Sequence, residues 1–376
     1  MKVERETAGF ALPFTAGVLL AAYSGYVLFN TYTFCPAGAL LILSTFALLH
    51  PSRRSLHPHI VRLLIGTAAL SAGMTSGFTF LHISAGATES QLSLMAEGFG
   101  ARMQEAIDRI PFNDIRCNAV AKALVTGERC DIPKDIAAVF RDSGGAHILA
   151  LSGLHLGIIY SIITRLLSIF GNHRRLWIPR SIIVMISCGF YTLATGAGPS
   201  IVRAFLFICL SEIGRSGHRH HSTGQMLLSA LILQLTFAPL SARTVGFQLS
   251  YAAMAGIAFI LPWLQSLWPG NIYDDRLFTR CIRKIWNTCA MSISCQLTTA
   301  PLAYFYFRSF PQYFLLTNLI ALPLTGIIIP AILFSLILCS LGIDIPFVTA
   351  TTEALISAMI TALETIAGIQ EPLTHA

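Results

Sequence analysis

A hydroxyl, a glycine and an imidazole stand within four residues of one another in an otherwise apolar stretch. The run reads Ala150-Leu151-Ser152-Gly153-Leu154-His155. Polar groups in such surroundings need partners, because an apolar environment supplies none. Ser152 and His155 could line a hydrated path as contacts for a substrate or as a gate. The structural alternative is close helix packing at Gly153, with Ser152 bonded to the preceding turn and His155 to a neighbouring helix.

A second cluster combines a flexible loop, a helix start and a cation. The sequence Gly196-Ala197-Gly198-Pro199-Ser200 leads into Ile201-Val202-Arg203. A helix N-terminus attracts anions, and a guanidinium in an apolar helix is costly unless it faces protein or water. Arg203 is therefore predicted either to contact a phosphate or to pair with Glu212 or a backbone carbonyl.

Further polar side chains interrupt apolar stretches downstream. They include Gln248, Ser250, Gln296 and Asn318. Hydrogen bonding between helices is the default role of such residues, and contact with a polar substrate is the alternative.

Nothing in the sequence indicates catalysis. The histidine and aspartate spacing of a binuclear hydrolase, a glycine-rich phosphate loop and an activated nucleophile are all missing from it. We therefore expect no enzymatic activity, cofactor or metal. Cys117 and Cys130 could form a disulfide in an oxidising compartment, but two thiols are a weak signal and the sequence favours free cysteines.

The composition places these residues in a membrane protein. The 376 residues are 54% hydrophobic and only 11% charged, whereas soluble domains are about a quarter charged. Four stretches are clearly long and apolar enough to cross a bilayer, and fainter ones lie between them. The clear spans are 10–29, 247–267, 286–307 and 313–341; the fainter ones are 35–49, 60–81, 146–170, 177–195, 201–213, 226–237 and 347–368. The prediction is an all-α polytopic helical bundle of about 9–11 spans.

The basic residues predict the orientation of the chain. With a cytoplasmic N-terminus, the inside connections carry most of the arginines and lysines, as the positive-inside rule requires. The short outside connections then hold only Arg243 and Arg308. The tail at 370–376 is predicted to lie outside. Pro323 and Pro330 interrupt the run at 313–341, where a broken or re-entrant helix could line a water-filled path.

The segment 83–145 is hydrophilic and is predicted to fold outside the membrane. An amphipathic helix is expected at 89–110, since apolar residues recur there at helical spacing: Leu92, Met95, Phe99, Met103, Ile107 and Ile110. It could pack on the bundle or lie in the outer interface. Two shorter helices are expected at 115–126 and 133–142. Before this segment, 1–82 is predicted to hold about three spans, and after it 146–369 forms a membrane core.

Several motifs, taken in order, resemble the ComEC competence family. They are His147-Ile148-Leu149-Ala150-Leu151-Ser152-Gly153-Leu154-His155, then 195–204, Gly246-Phe247-Gln248-Leu249-Ser250-Tyr251, Gln296 with Pro301, and Asn318 with Pro323. The resemblance implies a channel in the bacterial inner membrane that admits one DNA strand. It also implies membrane lipids, an outside DNA receptor, a cytoplasmic ATP-driven motor and a separately encoded nuclease as partners. The family's OB-fold insertion and C-terminal metallo-β-lactamase-like domain are not expected in this chain.

Three functions are compatible with these features. The first is a channel for single-stranded DNA, lined by the polar residues above, with Arg203 on the phosphates. The second is a small-solute transporter on the same scaffold, because fold does not fix function. The third is a scaffold that anchors an envelope complex.

Overall fold

A computed structural model describes residues 2–24, 39–40, 42–43, 58–84, 91–169, 177–216, 222–268, 277–308, 312–343 and 345–374. Within these ranges every regular element is a helix, as expected for an all-α membrane protein. The helices are α1 Lys2–Ser24, α2 Pro58–Ser84, α3 Gln91–Asp108, α4 Ile115–Thr126, α5 Lys134–Asp142, α6 Ala146–Leu149, α7 Gly153–Ser168, α8 Trp177–Ala194, α9 Pro199–Ser216, α10 Thr223–Phe237, a 3-10 turn Pro239–Arg243, α11 Val245–Ala255, a π-helical turn Gly256–Ile260, α12 Leu261–Ser266, α13 Leu277–Phe307, α14 Phe314–Ser340 and α15 Pro346–Thr374.

Five helical segments are long and apolar enough to cross a membrane: His59–Gly77, Trp177–Ala194, Val245–Ser266, Phe314–Ser340 and Pro346–Ile369. Three shorter apolar helices are Thr7–Ala22, Gly153–Ser168 and Thr223–Phe237. The predicted spans 201–213 and 286–307 form helices α9 and α13 but are in neither group, and 35–49 lies almost wholly outside the described residues. Several apolar helices of this length are the pattern of a multi-pass membrane protein.

The chain forms two compact units. The first comprises Met1–Glu89 and Leu206–Ala258, and the second comprises Ser90–Phe205 and Phe259–Ala376. Neither coincides with the segments 1–82, 83–145 and 146–369, which remain a prediction about membrane topology.

The first unit is built on close contact between α1 and α2. A Cβ on Gly17 would collide with the Leu70 carbonyl oxygen, and one on Gly73 would collide with that of Phe14. The two backbones can therefore touch only because these residues are glycines. The adjoining core contains Phe14, Val18, Ala69, Leu235, Ala242 and Phe247.

The second unit has a core between the α14–α15 hairpin and the shorter helices α3 to α6. Ile328, Ile332 and Met359 of the hairpin are fully buried against Leu124 and Phe140. α14 is continuous from Phe314 to Ser340. The broken or re-entrant helix that the two prolines allowed is therefore not formed, because the helix accommodates both of them within tertiary packing.

The predicted helices of the segment 83–145 form with small changes. α4 has the predicted bounds, and local capping explains them: Asp114 accepts a hydrogen bond from the Arg116 amide, and Gly127 ends the helix with a φ of 81°. α3 runs from Gln91 to Asp108 and packs on α8, where the Phe99 and Phe190 rings lie 5.0 Å apart. Packing on neighbouring helices is thus the arrangement that the amphipathic helix adopts.

Cys117 and Cys130 are free thiols, so the disulfide that the sequence allowed is not formed in this structure. Cys117 is buried and its Sγ lies 3.4 Å from the Ser357 Oγ of α15, whereas Cys130 is exposed. Packing against a hydroxyl is the role that the structure gives to the buried thiol.

Candidate functional site

The predicted helix at 146–170 is interrupted at its most polar point. α6 ends at Leu149, Ala150 is extended (φ −79°, ψ 124°), and α7 begins after Ser152, which is also extended (φ −129°, ψ 175°). We call Ala150–Leu151–Ser152 the α6–α7 break. The expectation of one continuous helix is wrong here, because Ser152 can cap a new helix with its own side chain.

Ser152 and His155 form a reciprocal cap on α7. The Ser152 Oγ accepts a hydrogen bond from the Leu154 amide at 3.3 Å, and the His155 Nδ1 accepts one from the Ser152 amide at 3.2 Å. This is a capping box in which histidine stands where glutamate or glutamine is usual. The structural alternative predicted a bond from Ser152 to the preceding turn and one from His155 to a neighbouring helix, and the cap takes the place of both.

The cap determines which nitrogen of His155 carries the proton. Because Nδ1 accepts from an amide, the neutral ring holds its proton on Nε2. Nε2 is buried and has no hydrogen-bond partner in the described part of the chain. A buried donor left unpaired costs about 1–3 kcal/mol, so His155 has an N–H that a ligand could satisfy.

Arg203 lies against the first residue of α7. A Cβ on Gly153 would come within 3.2 Å of an Arg203 Nη and 3.4 Å of the Ala204 Cβ. Glycine therefore gives the guanidinium access to the helix N-terminus. Arg203 is only 8% exposed.

Glu212, one partner that the sequence offered for Arg203, is out of its reach. Both residues belong to α9, and nine positions along an α-helix correspond to about 14 Å and two and a half turns, hence to opposite faces. Glu212 instead forms an ion pair with Arg215 at 3.1 Å.

His147 and Asn318 extend the polar region on the α6 side of the break. The His147 Nδ1 lies 3.0 Å from the Gly144 carbonyl oxygen, and the Asn318 carboxamide of α14 lies beside the ring. The Asn318 Oδ1 is buried and makes no hydrogen bond to a described residue. An unsatisfied donor and an unsatisfied acceptor thus flank the break.

The seven predicted channel residues divide between the two units. The second unit holds Ser152, His155, Arg203, Gln296 and Asn318, while the first holds Gln248 and Ser250. The Gln248 Nε2 donates to the Ala242 carbonyl oxygen at 3.0 Å, a bond to the adjoining 3-10 turn six residues earlier. Gln296 is half-buried on α13, next in sequence to Cys295.

The arrangement around the break is suited to an anion. The N-terminus of α7 carries a partial positive charge, and a buried guanidinium lies directly against it. Two positive groups this close together are more stable when a negative group binds near both. No cluster of metal-binding side chains occurs among the described residues.

The sequence profile of the Competence protein family matches residues 124–375, about two thirds of the chain. The chain belongs to this family. The matched region contains the α6–α7 break, Arg203 and Asn318, so the candidate site lies within the part of the chain that defines the Competence family.

Individual relatives agree with this assignment. ComE operon protein 3 of Bacillus subtilis (strain 168) is 27% identical over 228 residues, which are 59% of this chain and 27% of that protein. Recombination protein 2 of Haemophilus influenzae is 26% identical over 223 residues, 57% of this chain and 27% of the relative. An uncharacterized protein of Escherichia coli (strain K12), YcaI, is 26% identical over 260 residues, 68% of this chain and 33% of the relative. The chain thus matches about a quarter to a third of the length of these relatives. No solved structure matches it.

Sequence reasoning did not select His147 as a site residue. A signal that could have selected it was its place in the family motif, eight residues before His155. The break between the two histidines was not predicted.

Proposed function

We propose that this Competence-family chain is part of an inner-membrane channel that passes single-stranded DNA. The observation that carries the proposal is the contact of the Arg203 guanidinium with the N-terminus of α7. Together they form a buried site for a phosphate group, and DNA offers one such group per nucleotide. Family membership supports the choice of DNA over other polyanions, as do relatives named for competence and recombination.

A strand must move through a channel, so each phosphate has to be bound weakly enough to leave. The break supplies one guanidinium, helix-terminal amides and the His155 Nε2 donor, without a second buried cation among its described neighbours. We expect it to act as a transient contact. An outside receptor, a cytoplasmic ATP-driven motor and a separate nuclease would deliver, pull and process the strands.

The test is entry of labelled transforming DNA into the cytoplasm of the native host. Arg203→Gln removes the charge and is expected to reduce entry about ten- to a hundredfold, because a charge-assisted hydrogen bond contributes about 1.5–3 kcal/mol. Arg203→Lys should retain part of the activity. DNA bound at the cell surface should not change.

Arg165→Gln is the matched control. Arg165 is exposed near the other end of α7, and no hydrogen bond of its side chain is found in the described structure. This variant should take up DNA normally at equal membrane abundance. If a deletion strain still takes up DNA, the channel proposal fails and transport of a small solute replaces it. If Arg203→Gln is as active as wild type, Arg203 does not contact phosphate.

A further inference from the structure

The segment from Arg109 to Ser143 touches α14 near both of its ends. At one end, the Thr317 Oγ1 donates a hydrogen bond to the Ser143 carbonyl oxygen at 2.5 Å. At the other end, the Cys339 Sγ lies 3.6 Å from the Arg109 carbonyl oxygen. All four residues belong to the second unit.

These two contacts are separated by the thickness of a membrane. Thr317 and Cys339 are joined by uninterrupted α-helix, and their difference in number corresponds to about 33 Å of rise. The hydrocarbon core of a bilayer is about 30 Å thick. α14 also has the highest mean hydropathy of the five long candidate spans, 2.4. If α14 crosses the membrane, Arg109 and Ser143 must lie near opposite faces of it.

The segment is attached to the hairpin between these points as well. The Glu353 carboxylate of α15 accepts hydrogen bonds from the amides of Asn113 at 3.2 Å and Asp114 at 2.9 Å. Further along, Leu124 of α4 and Ile136 and Phe140 of α5 are buried in the hairpin core. The segment therefore follows the hairpin and does not form a separate body.

Many of the exposed side chains of the segment are charged. Lys122 binds Asp108 at 2.7 Å and Asp131 at 2.6 Å, and both carboxylates are half exposed. Other exposed charged residues of the segment are Arg129, Lys134, Asp135, Arg141 and Asp142. Of these, Arg129, Lys134 and Asp135 lie between the two ends of the segment, where a charged side chain cannot face lipid without a large cost and therefore requires water.

We infer that Arg109 to Ser143 crosses the membrane beside the α14–α15 hairpin and forms one wall of a water-filled path. The extracytoplasmic position predicted for 83–145 would then hold only for one end of this segment. This inference does not depend on the proposed function, because it concerns water and not DNA. Under the DNA proposal, the same wall would face the strand, with Arg129 and Lys134 as exposed cations that form no ion pair in the described structure.

Site-directed labelling of single cysteines tests the inference. Arg109→Cys, Ala137→Cys and Asp142→Cys each place a thiol at an exposed position, in a background in which the nine native cysteines are replaced. Spheroplasts and inverted vesicles expose opposite faces of the membrane to a bulky polyethylene-glycol maleimide. A small, charged methanethiosulfonate reports water that the bulky reagent cannot reach. Gln312→Cys and Ser340→Cys mark the two ends of α14, and Phe334→Cys marks its exposed apolar face.

The expected result is that Arg109→Cys and Asp142→Cys react with the bulky reagent from opposite faces. Ala137→Cys should react with the small reagent only, and Phe334→Cys with neither. If both ends react with the bulky reagent from the same face, or if Gln312→Cys and Ser340→Cys do, the inference is wrong. Should the cysteine-free background fold poorly, exposed Cys130 of the native chain provides the second measurement, taken as the labelling that Cys130→Ser removes because Cys281 is exposed as well. It must react with the small reagent and resist the bulky one, and reaction with the bulky reagent overturns the inference.

Discussion

The two compact units differ in the hydrogen bonding of their polar side chains. In the first unit, the Tyr251 hydroxyl donates to the Gln234 Oε1 at 2.9 Å and the Gln248 carboxamide is bonded to a carbonyl. Helix backbones there touch directly at Gly17 and Gly73. In the second unit, a helix is interrupted, and buried polar atoms of His155 and Asn318 have no partner in the described structure.

This difference separates structural polar groups from candidate ligand contacts. A polar side chain that bonds to its own protein stabilises the fold and has less capacity left for a substrate. An unpaired buried donor destabilises the fold, and such a group is expected where a ligand supplies the missing partner. Substitutions in the first unit should therefore affect stability, and those at the α6–α7 break should affect transport.

The largest effect on stability is expected for Gly17→Ala in the first unit. The added methyl would collide with the Leu70 carbonyl oxygen, which is backbone and cannot rotate away. Overpacking of this kind costs about 1–3 kcal/mol. The measurement is the midpoint of denaturant-induced unfolding in detergent.

Gly9→Ala, in the same helix, is the control for this prediction. No atom lies within 4 Å of the position of its Cβ, so alanine should be neutral or slightly stabilising there. Equal midpoints for the two variants would show that α1 and α2 do not touch at Gly17.

At the break, His155→Gln should separate stability from transport. Glutamine can keep the capping box because its side-chain oxygen can accept from the Ser152 amide. It lacks the imidazole Nε2 donor at its native position. We expect a midpoint close to that of wild type and a several-fold loss of DNA entry. If the variant is destabilised but still imports DNA at the wild-type level, His155 stabilises the fold and does not contact the strand.

The smallest effect is expected for Tyr251→Phe in the first unit. It removes one hydrogen bond to Gln234 and keeps the ring packed against Phe247, 4.5 Å away between centroids. The loss should be about 1 kcal/mol in unfolding free energy, with normal DNA entry per folded molecule. A specific loss of entry would make Tyr251 part of the transport path.

The sequence predicted those features that depend only on residues close together in the chain. The bounds of α4 follow from Asp114 and Gly127, and both the spacing and the cap act within a few residues. Long apolar runs predicted the membrane class for the same reason, because hydropathy needs no knowledge of neighbours. The competence-family motif located the residues of the break, although its helical state was predicted wrongly.

Contacts between residues that are distant in the sequence could not be predicted in this way. The sequence allowed a break at Pro323 and Pro330, but α14 is continuous there and the break occurs before Ser152 caps α7. It offered Glu212 for Arg203, whereas the fold places the guanidinium on Gly153. The sequence by itself determined which polar residues the chain carries and that its helices suit a membrane. Only the tertiary structure decided which of those residues have hydrogen-bond partners. A hydrogen bond or a steric contact depends on distances of a few ångströms, and sequence separation does not define such distances.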